Sequence, residues 1–226
     1  VRYNTAMTTF FRNRYHDHEP LWHVQITMLL AIGLQLLLPD HYVIGSRYIL
    51  LLIEFLLLVT LSFTTPKASV FTSLSRRINV FGLLILTGLA NSYSLIEVAR
   101  QLLQNGHVAN GHELILTALN IYITNIIIFG LWYWEMDGGG PGQRRQAAKH
   151  EHDFMFPQHQ NENYQHPRWQ PTFVDYLYVS STNAMAFSPT DTLPLSRRAK
   201  LLMLAQAAIA LITIALVAAR AVNILG

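Results

Sequence analysis

The sequence predicts an all-α polytopic membrane bundle of five transmembrane helices plus one short amphipathic or re-entrant helix. Three observations predict it. Of the 226 residues, 51% are apolar or aromatic and only 13% are charged, against about 25% charged in ordinary soluble domains. Five apolar runs approach or reach the roughly 20 residues that a helix needs to cross the hydrocarbon core. The charges lie almost wholly between those runs. Lipid offers no partner to an unpaired backbone group, so such runs are helices, and no alternating barrel pattern competes. The composition excludes a disordered chain, a collagen-like chain and a typical soluble enzyme. The absence of cysteine excludes a disulfide framework, a thiolate zinc site, an iron–sulfur cluster and a cysteine nucleophile.

Residues 1–21 form a polar N-terminal arm carrying Arg2, Arg12, Arg14 and His16-Asp17-His18-Glu19, with no evident secretory signal. Residues 22–134 read as a four-helix transmembrane region. The first span runs from Trp22 to Leu38 and stops at Pro39-Asp40. The second is short, Tyr48 to Phe63, closed by Thr64-Thr65-Pro66. The third follows Arg76-Arg77 and runs from Ile78 to Ile96, with a helical tail through Arg100 to Leu103. The fourth, Leu114 to Trp134, is free of charge, as is the last, Leu201 to Ala219, which is flanked by Arg197, Arg198, Lys200 and Arg220.

With the N-terminus inside, thirteen Lys and Arg residues fall on the inner side and three (Arg47, Arg100 and Arg220) on the outer side. Cytoplasmic loops carry such an excess, so the sequence predicts a multi-pass protein of the cell inner membrane with a cytoplasmic N-terminus. The pI near 9.3 is thereby explained by topology, and no nucleic-acid partner is expected. Trp22 and Trp132-Tyr133-Trp134 stand at span ends, where aromatic rings prefer the headgroup level. They read as an interface belt.

Residues 135–171 read as a long hydrophilic inner loop. Gly138-Gly139-Gly140-Pro141-Gly142 lacks the preceding strand and the Lys-Ser/Thr pair of a phosphate loop, and reads as a flexible turn. His150, His152, His159 and His166 follow, beside Glu151, Asp153 and Glu162. Two readings stay open: a solvated loop, or a site for zinc, nickel or copper at His150 and His152. No other cofactor is expected. The only lysine near a span, Lys200, lies outside the bilayer, and His23 and His112 sit at span edges, which leaves retinal and a bis-histidine haem without a site.

Pro171-Thr172-Phe173-Val174-Asp175 reads as a helix start, with Thr172 as cap and Asp175 in the capping-box position. Phe173, Tyr176, Leu177, Ala184 and Phe187 then recur at helical spacing. Ser180, Ser181, Thr182 and Asn183 make the segment too polar to span. With the polar turn Ser188-Pro189-Thr190-Asp191 and the last span, it forms a 172–226 unit that is either a half-inserted hairpin or an interfacial helix.

The string Phe173-Val174-Asp175-Tyr176-Leu177-Tyr178-Val179-Ser180, then Asp191-Thr192-Leu193-Pro194, then the final helix, resembles the pore-loop module of two-helix potassium channels over residues 114–226. The resemblance implies a pore helix, a filter segment and an inner helix, with Thr182, Asn183, Ser188 and Asp191 as pore-loop residues. A selective filter needs a Gly-Tyr-Gly type backbone; this chain has Met185-Ala186-Phe187-Ser188-Pro189-Thr190 there. The chain also resembles uncharacterised bacterial inner-membrane proteins, through Trp-Tyr-Trp-Glu before a glycine turn and Phe-Ser-Pro-Thr-Asp-Thr before the last helix.

Glu54 sits in the middle of the second span. A carboxylate at the bilayer centre costs about 2.5–3.5 kcal/mol on insertion scales. Glu54 is therefore expected to be protonated, or to face a partner or a water-filled cavity. Thr117, Asn120 and Thr124 share one face of the fourth span, and Asn91, Ser92 and Ser94 lie in the third. Glu97 and Arg100 can pair along the helix. Gln206 and Thr213 align on the fifth, where Ala208, Ala215 and Ala219 form a small-residue face. The functional expectation is a channel-like or transport-like protein without the potassium filter, its polar path drawn from Glu54, Asn120, Thr124 and Gln206. The alternative is a structural or accessory subunit of a larger membrane complex. The expected partners are the lipid bilayer and either further copies of the chain or the subunits of such a complex. An enzyme is the less favoured reading.

Overall fold

The computed structural model describes residues 22–64, 74–104, 111–146, 152–160, 169–185 and 191–225. In chain order the helices are α1 (Trp22–Leu36), α2 (Arg47–Thr64), α3 (Leu74–Gln104), α4 (Gly111–Met136), α5 (Pro141–Gln146), α6 (Pro157–Gln160), α7 (Phe173–Ala184) and α8 (Arg197–Leu225). Two short strands, β1 (Phe154–Met155) and β2 (Leu193–Pro194), pair antiparallel, with Phe154 opposite Pro194 and Met155 opposite Leu193. The fold is all-α in substance, as its sequence predicts. The arm 1–21 lies outside the described residues.

Among the described residues, three helical segments are long and apolar enough to cross a membrane: Arg76–Leu102, Glu113–Gly139 and Arg197–Arg220. Two shorter apolar helices, Trp22–Leu36 and Tyr48–Val59, accompany them. The shortening has a local cause. The first span ends at Leu36 rather than Leu38, because Pro39 supports a 3-10 turn over Asp40–Tyr42 instead of another helical turn. Fifteen residues of α1 rise about 22 Å, less than the roughly 30 Å of the hydrocarbon core.

The bundle is organised around α4, which packs against α1, α3, α7 and α8. Its inward side chains, among them Ile128, Leu131 and Trp134, join Met28, Leu84 and Phe154 in one apolar core. Gly130 lets α7 approach closely: a Cβ there would stand 3.2 Å from the Leu177 Cα. The outward faces are also apolar, with Leu30, Leu52, Ile85, Leu204 and Ile212 exposed on four different helices. Water would penalise so much exposed apolar surface, whereas lipid does not. The alanine face of α8 (Ala208, Ala215 and Ala219) is exposed, so none of the described helices covers it.

The capping box is present: the Asp175 carboxylate accepts from the Thr172 backbone N–H at 2.7 Å and from its hydroxyl at 2.8 Å. α7 is shorter than the four turns expected and ends at Ala184. The stretch 135–171 is less loop-like than its composition suggests. Asp153, Phe154 and Phe156 are buried, and the Asp153 carbonyl accepts from Leu195 N at 2.8 Å. The aromatic belt is corrected in part as well. Trp22 is exposed, but Tyr133 and Trp134 are core residues.

Candidate functional site

Polar side chains gather in three places inside the bundle. The first lies where α4, α7 and α8 meet. α7 runs antiparallel to α4: Phe173 lies edge-on to Trp134, Leu177 lies against Gly130, and Ser180 Oγ donates to the Ile126 carbonyl at 2.6 Å. Each turn along α7 therefore steps one turn back along α4. Ile126 is about 15 Å from the end of α4 at Met136. After α7 the chain comes back to that same end, because β2 pairs with β1 and β1 adjoins Asp137. α7 therefore runs inward beside α4 from the Met136 end, and β2 stands back at that end.

Gln206 of α8 fastens it. Its Oε1 accepts from Tyr133 Oη at 2.5 Å and from Asn183 Nδ2 at 2.8 Å. Its Nε2 donates to Ser180 Oγ at 2.6 Å and to the Ser180 carbonyl at 2.9 Å. Asn183 Nδ2 also donates to the Met203 carbonyl at 2.9 Å. Gln206, Tyr133 and Ser180 are wholly buried. A buried amide is tolerable only when its donors and acceptor are all used, and here they are.

The second place is the end of α4. Arg76, at the start of α3, donates both terminal nitrogens to Glu135, each at 3.0 Å. Glu135 and Asp137 have no exposed surface, and Arg76 and Asp153 have 2% and 1%. Asp137 accepts from the Asp153 backbone N–H at 2.6 Å and from the Tyr176 hydroxyl. Arg144 donates to the Trp134 and Asp137 carbonyls at 2.6 and 2.7 Å, capping the last turn of α4. Arg198 closes the cluster on Asp153 through Nε at 2.8 Å. The glycine run, expected as a flexible turn, is instead a tight packed turn. Gly138, Gly139 and Gly140 have φ of 56°, 82° and 98°, and a Cβ on Gly138 would lie 2.8 Å from Arg144 Cγ. Only glycine takes such a path without strain.

His152 stands at the rim of this cluster, its Nδ1 3.8 Å from the Asp137 carboxylate. Pairing with that carboxylate raises its pKa. The neighbouring His159 ring, 5.2 Å away, is pushed the other way, first by burial and then by the charge on His152. Among the described residues, no group of three or more His, Cys, Asp or Glu side chains is set to hold a metal. His150 lies outside the described residues, so the two-histidine site is not seen as a unit.

The third place is Glu54, whose side chain is completely buried. Gln35 Nε2 of α1 donates to its two oxygens at 3.1 and 3.0 Å. The remaining predicted polar residues do not join it. Asn120 Nδ2 donates to the Leu34 carbonyl at 2.7 Å, and Thr124 Oγ1 donates to Asn120 Oδ1 at 3.4 Å. Gln206 belongs to the α7 hairpin. Thr182 bonds back to the Tyr178 and Val179 carbonyls of its own helix, Asp191 is exposed, and Ser188 is outside the described residues. Of the pore-loop set, only Asn183 meets Gln206. Glu97 and Arg100 pair at 3.6 Å, as their spacing predicts.

Sequence reasoning missed Gln35, Tyr133, Arg76, Glu135, Asp137 and Asp153. No motif in the sequence marks them, because partners as distant as Arg76 and Glu135 meet only through packing.

No family model, curated protein or solved structure matches the chain.

Proposed function

We propose that the chain is a five-span protein of a bacterial inner membrane, channel-like or transport-like in architecture, in which α7 is a re-entrant helix serving as a gate. One observation carries this reading: α7 reaches the level of Ile126 alongside α4, and the chain then comes back to the end it left. Within a bilayer, non-spanning backbone at that depth is tolerated only when buried in protein or lining a water path. The excess of Lys and Arg between the inner spans argues for a cytoplasmic N-terminus and for entry of α7 from the cytoplasmic side. α1 and α2 span with the help of their flanking turns or of local thinning of the bilayer. The resemblance to the potassium-channel pore loop then concerns architecture alone, since the residues after α7 cannot form a carbonyl filter.

The test is ion flux into proteoliposomes. The wild-type protein is expected to pass protons or monovalent cations above the protein-free background, without choosing potassium over sodium. Asn183→Leu, which removes the two bonds that Asn183 donates to α8, is expected to raise the leak severalfold. Wild-type flux equal to that of empty liposomes refutes the reading. A second reading, a subunit of a larger complex, is favoured by α8, the least covered of the three long apolar helices. A mass in native detergent equal to that of one chain counts against it.

A further inference from the structure

We infer that Glu54 is a proton-binding site that exchanges its proton with one side of the bundle only, the side of the 37–46 loop between α1 and α2. This inference uses no part of the α7 hairpin and stands whether or not flux is found.

The first ground is the surroundings of the carboxyl group. Glu54 is fully buried, and the polar groups facing it are Gln35 of α1 and Thr87 of α3. Among the described residues no cation pairs with it, in contrast to Glu135, which holds Arg76. One amide does not compensate a carboxylate taken out of water, whose desolvation amounts to several kcal/mol. A bound proton removes that penalty. The neutral acid retains an acceptor for the Gln35 amide and gains a donor that Thr87 Oγ1 can accept.

The second ground is an asymmetry of packing. Gln35 lies one residue before the end of α1. Beside it is a small pocket about the size of one water molecule, lined also by Asn91, Ser94, Leu50 and Ala90. The loop folds down onto this pocket, with the Tyr42 carbonyl accepting from Ser94 Oγ at 2.7 Å. Glu54 is only seven residues inside α2 from Arg47, about 10 Å along the axis. Water entering this pocket, beside Asn91 and Ser94, can thus carry a proton towards the Gln35–Glu54 pair. On the other side of Glu54 the neighbouring pocket is lined by Met28, Ile32, Leu83, Leu84 and Ile128, with Thr87 as its polar edge. The described side chains of α2 beyond Glu54 on that side, Phe55 to Val59, are all apolar and extend about 7 Å along the axis. Such packing carries no proton.

The experiment is infrared spectroscopy of the full chain in lipid during transfer from H2O to D2O. A protonated carboxyl band is expected near neutral pH that is missing in Glu54→Gln and shifts on deuteration. Two variants fill the pockets while keeping every polar group: Ala90→Leu on the loop side and Ala31→Leu, another lining residue of the far pocket. Ala90→Leu is expected to slow deuteration of the band at least tenfold, and Ala31→Leu to leave it unchanged. Leu50→Phe fills the loop-side pocket by a second route if Ala90→Leu fails to fold. Slowing by Ala31→Leu, or none by either loop-side variant, overturns one-sided access. A spectrum that Glu54→Gln does not alter overturns the proton site itself.

Discussion

Breaking the Arg76–Glu135 pair provides a quantitative test of the packing at the end of α4. The perturbation is Arg76→Met, which keeps most of the side-chain length and removes the charge. The guanidinium supplies two 3.0 Å bonds to a carboxylate with no exposed surface and lies 5.9 Å from the Trp134 ring centroid. Once it is removed, Glu135 must stay ionised without a partner, take up a proton, or drag water into the core. Removing one member of a buried pair destabilises by about 3–5 kcal/mol. For a chain of 226 residues, each kcal/mol moves the melting temperature by about 2–4 °C, so the expected drop is roughly 6–20 °C. Glu135→Leu alone should behave similarly, because it removes both carboxylate oxygens that the buried guanidinium donates to. The double variant should recover most of the loss, since replacing both partners with apolar groups is close to neutral. The assay is the fraction of each detergent-solubilised variant that still elutes as a folded species after heating, assembled into a double-mutant cycle. A drop of less than about 2 °C in the single variants, or a double variant that loses the sum of the two, refutes the reasoning.

Gly138→Ala should destabilise by about 2–4 kcal/mol, from the left-handed backbone at φ 56° and from the 2.8 Å approach to Arg144 Cγ. Gly82→Ala in α3, with nothing within 4 Å of the new methyl, should be neutral or stabilising by up to about 1 kcal/mol; thermal unfolding of the pair checks both. The His152 pKa is raised above 6.5 in the folded chain, so its contribution to stability is complete below that pH and is lost as pH rises through the raised value. His152→Gln should therefore lower the melting temperature at about pH 5.5 and leave it unchanged at about pH 9; a deficit that grows with pH contradicts the Asp137 pairing.

The helices were legible because lipid-length apolar runs leave a chain few alternatives. Leu114 to Trp134 and Leu201 to Ala219 each fall inside an observed helix, α4 and α8. Thr172 and Asp175 marked the start of α7 for a local reason, the reciprocal cap. Glu54 was recognisable as an anomaly, but its partner was not. Gln35 is nineteen residues away, and only the packing of α1 on α2 brings the two together. The α4 end was misread because hydrophilic composition resembles a solvated loop. Asp137 and Asp153 are charged, yet both are buried by Arg144, Arg198 and Tyr176. Spacing along one chain does not reveal that charges from α3, the glycine turn, the residue before β1 and α8 converge.

The α7 hairpin imposes an order on synthesis. Its polar groups are satisfied by residues on both sides in sequence: Ile126 precedes it, while Met203 and Gln206 follow it. A nascent chain that has just emerged through Ala184 has the first of these and lacks the others. Until about twenty more residues leave the ribosome, Asn183 has no carbonyl or amide of α8 to bond, and burial among lipid-facing helices would strand it. On the proposed re-entrant reading, the segment waits at the membrane surface and enters only after α8 has inserted.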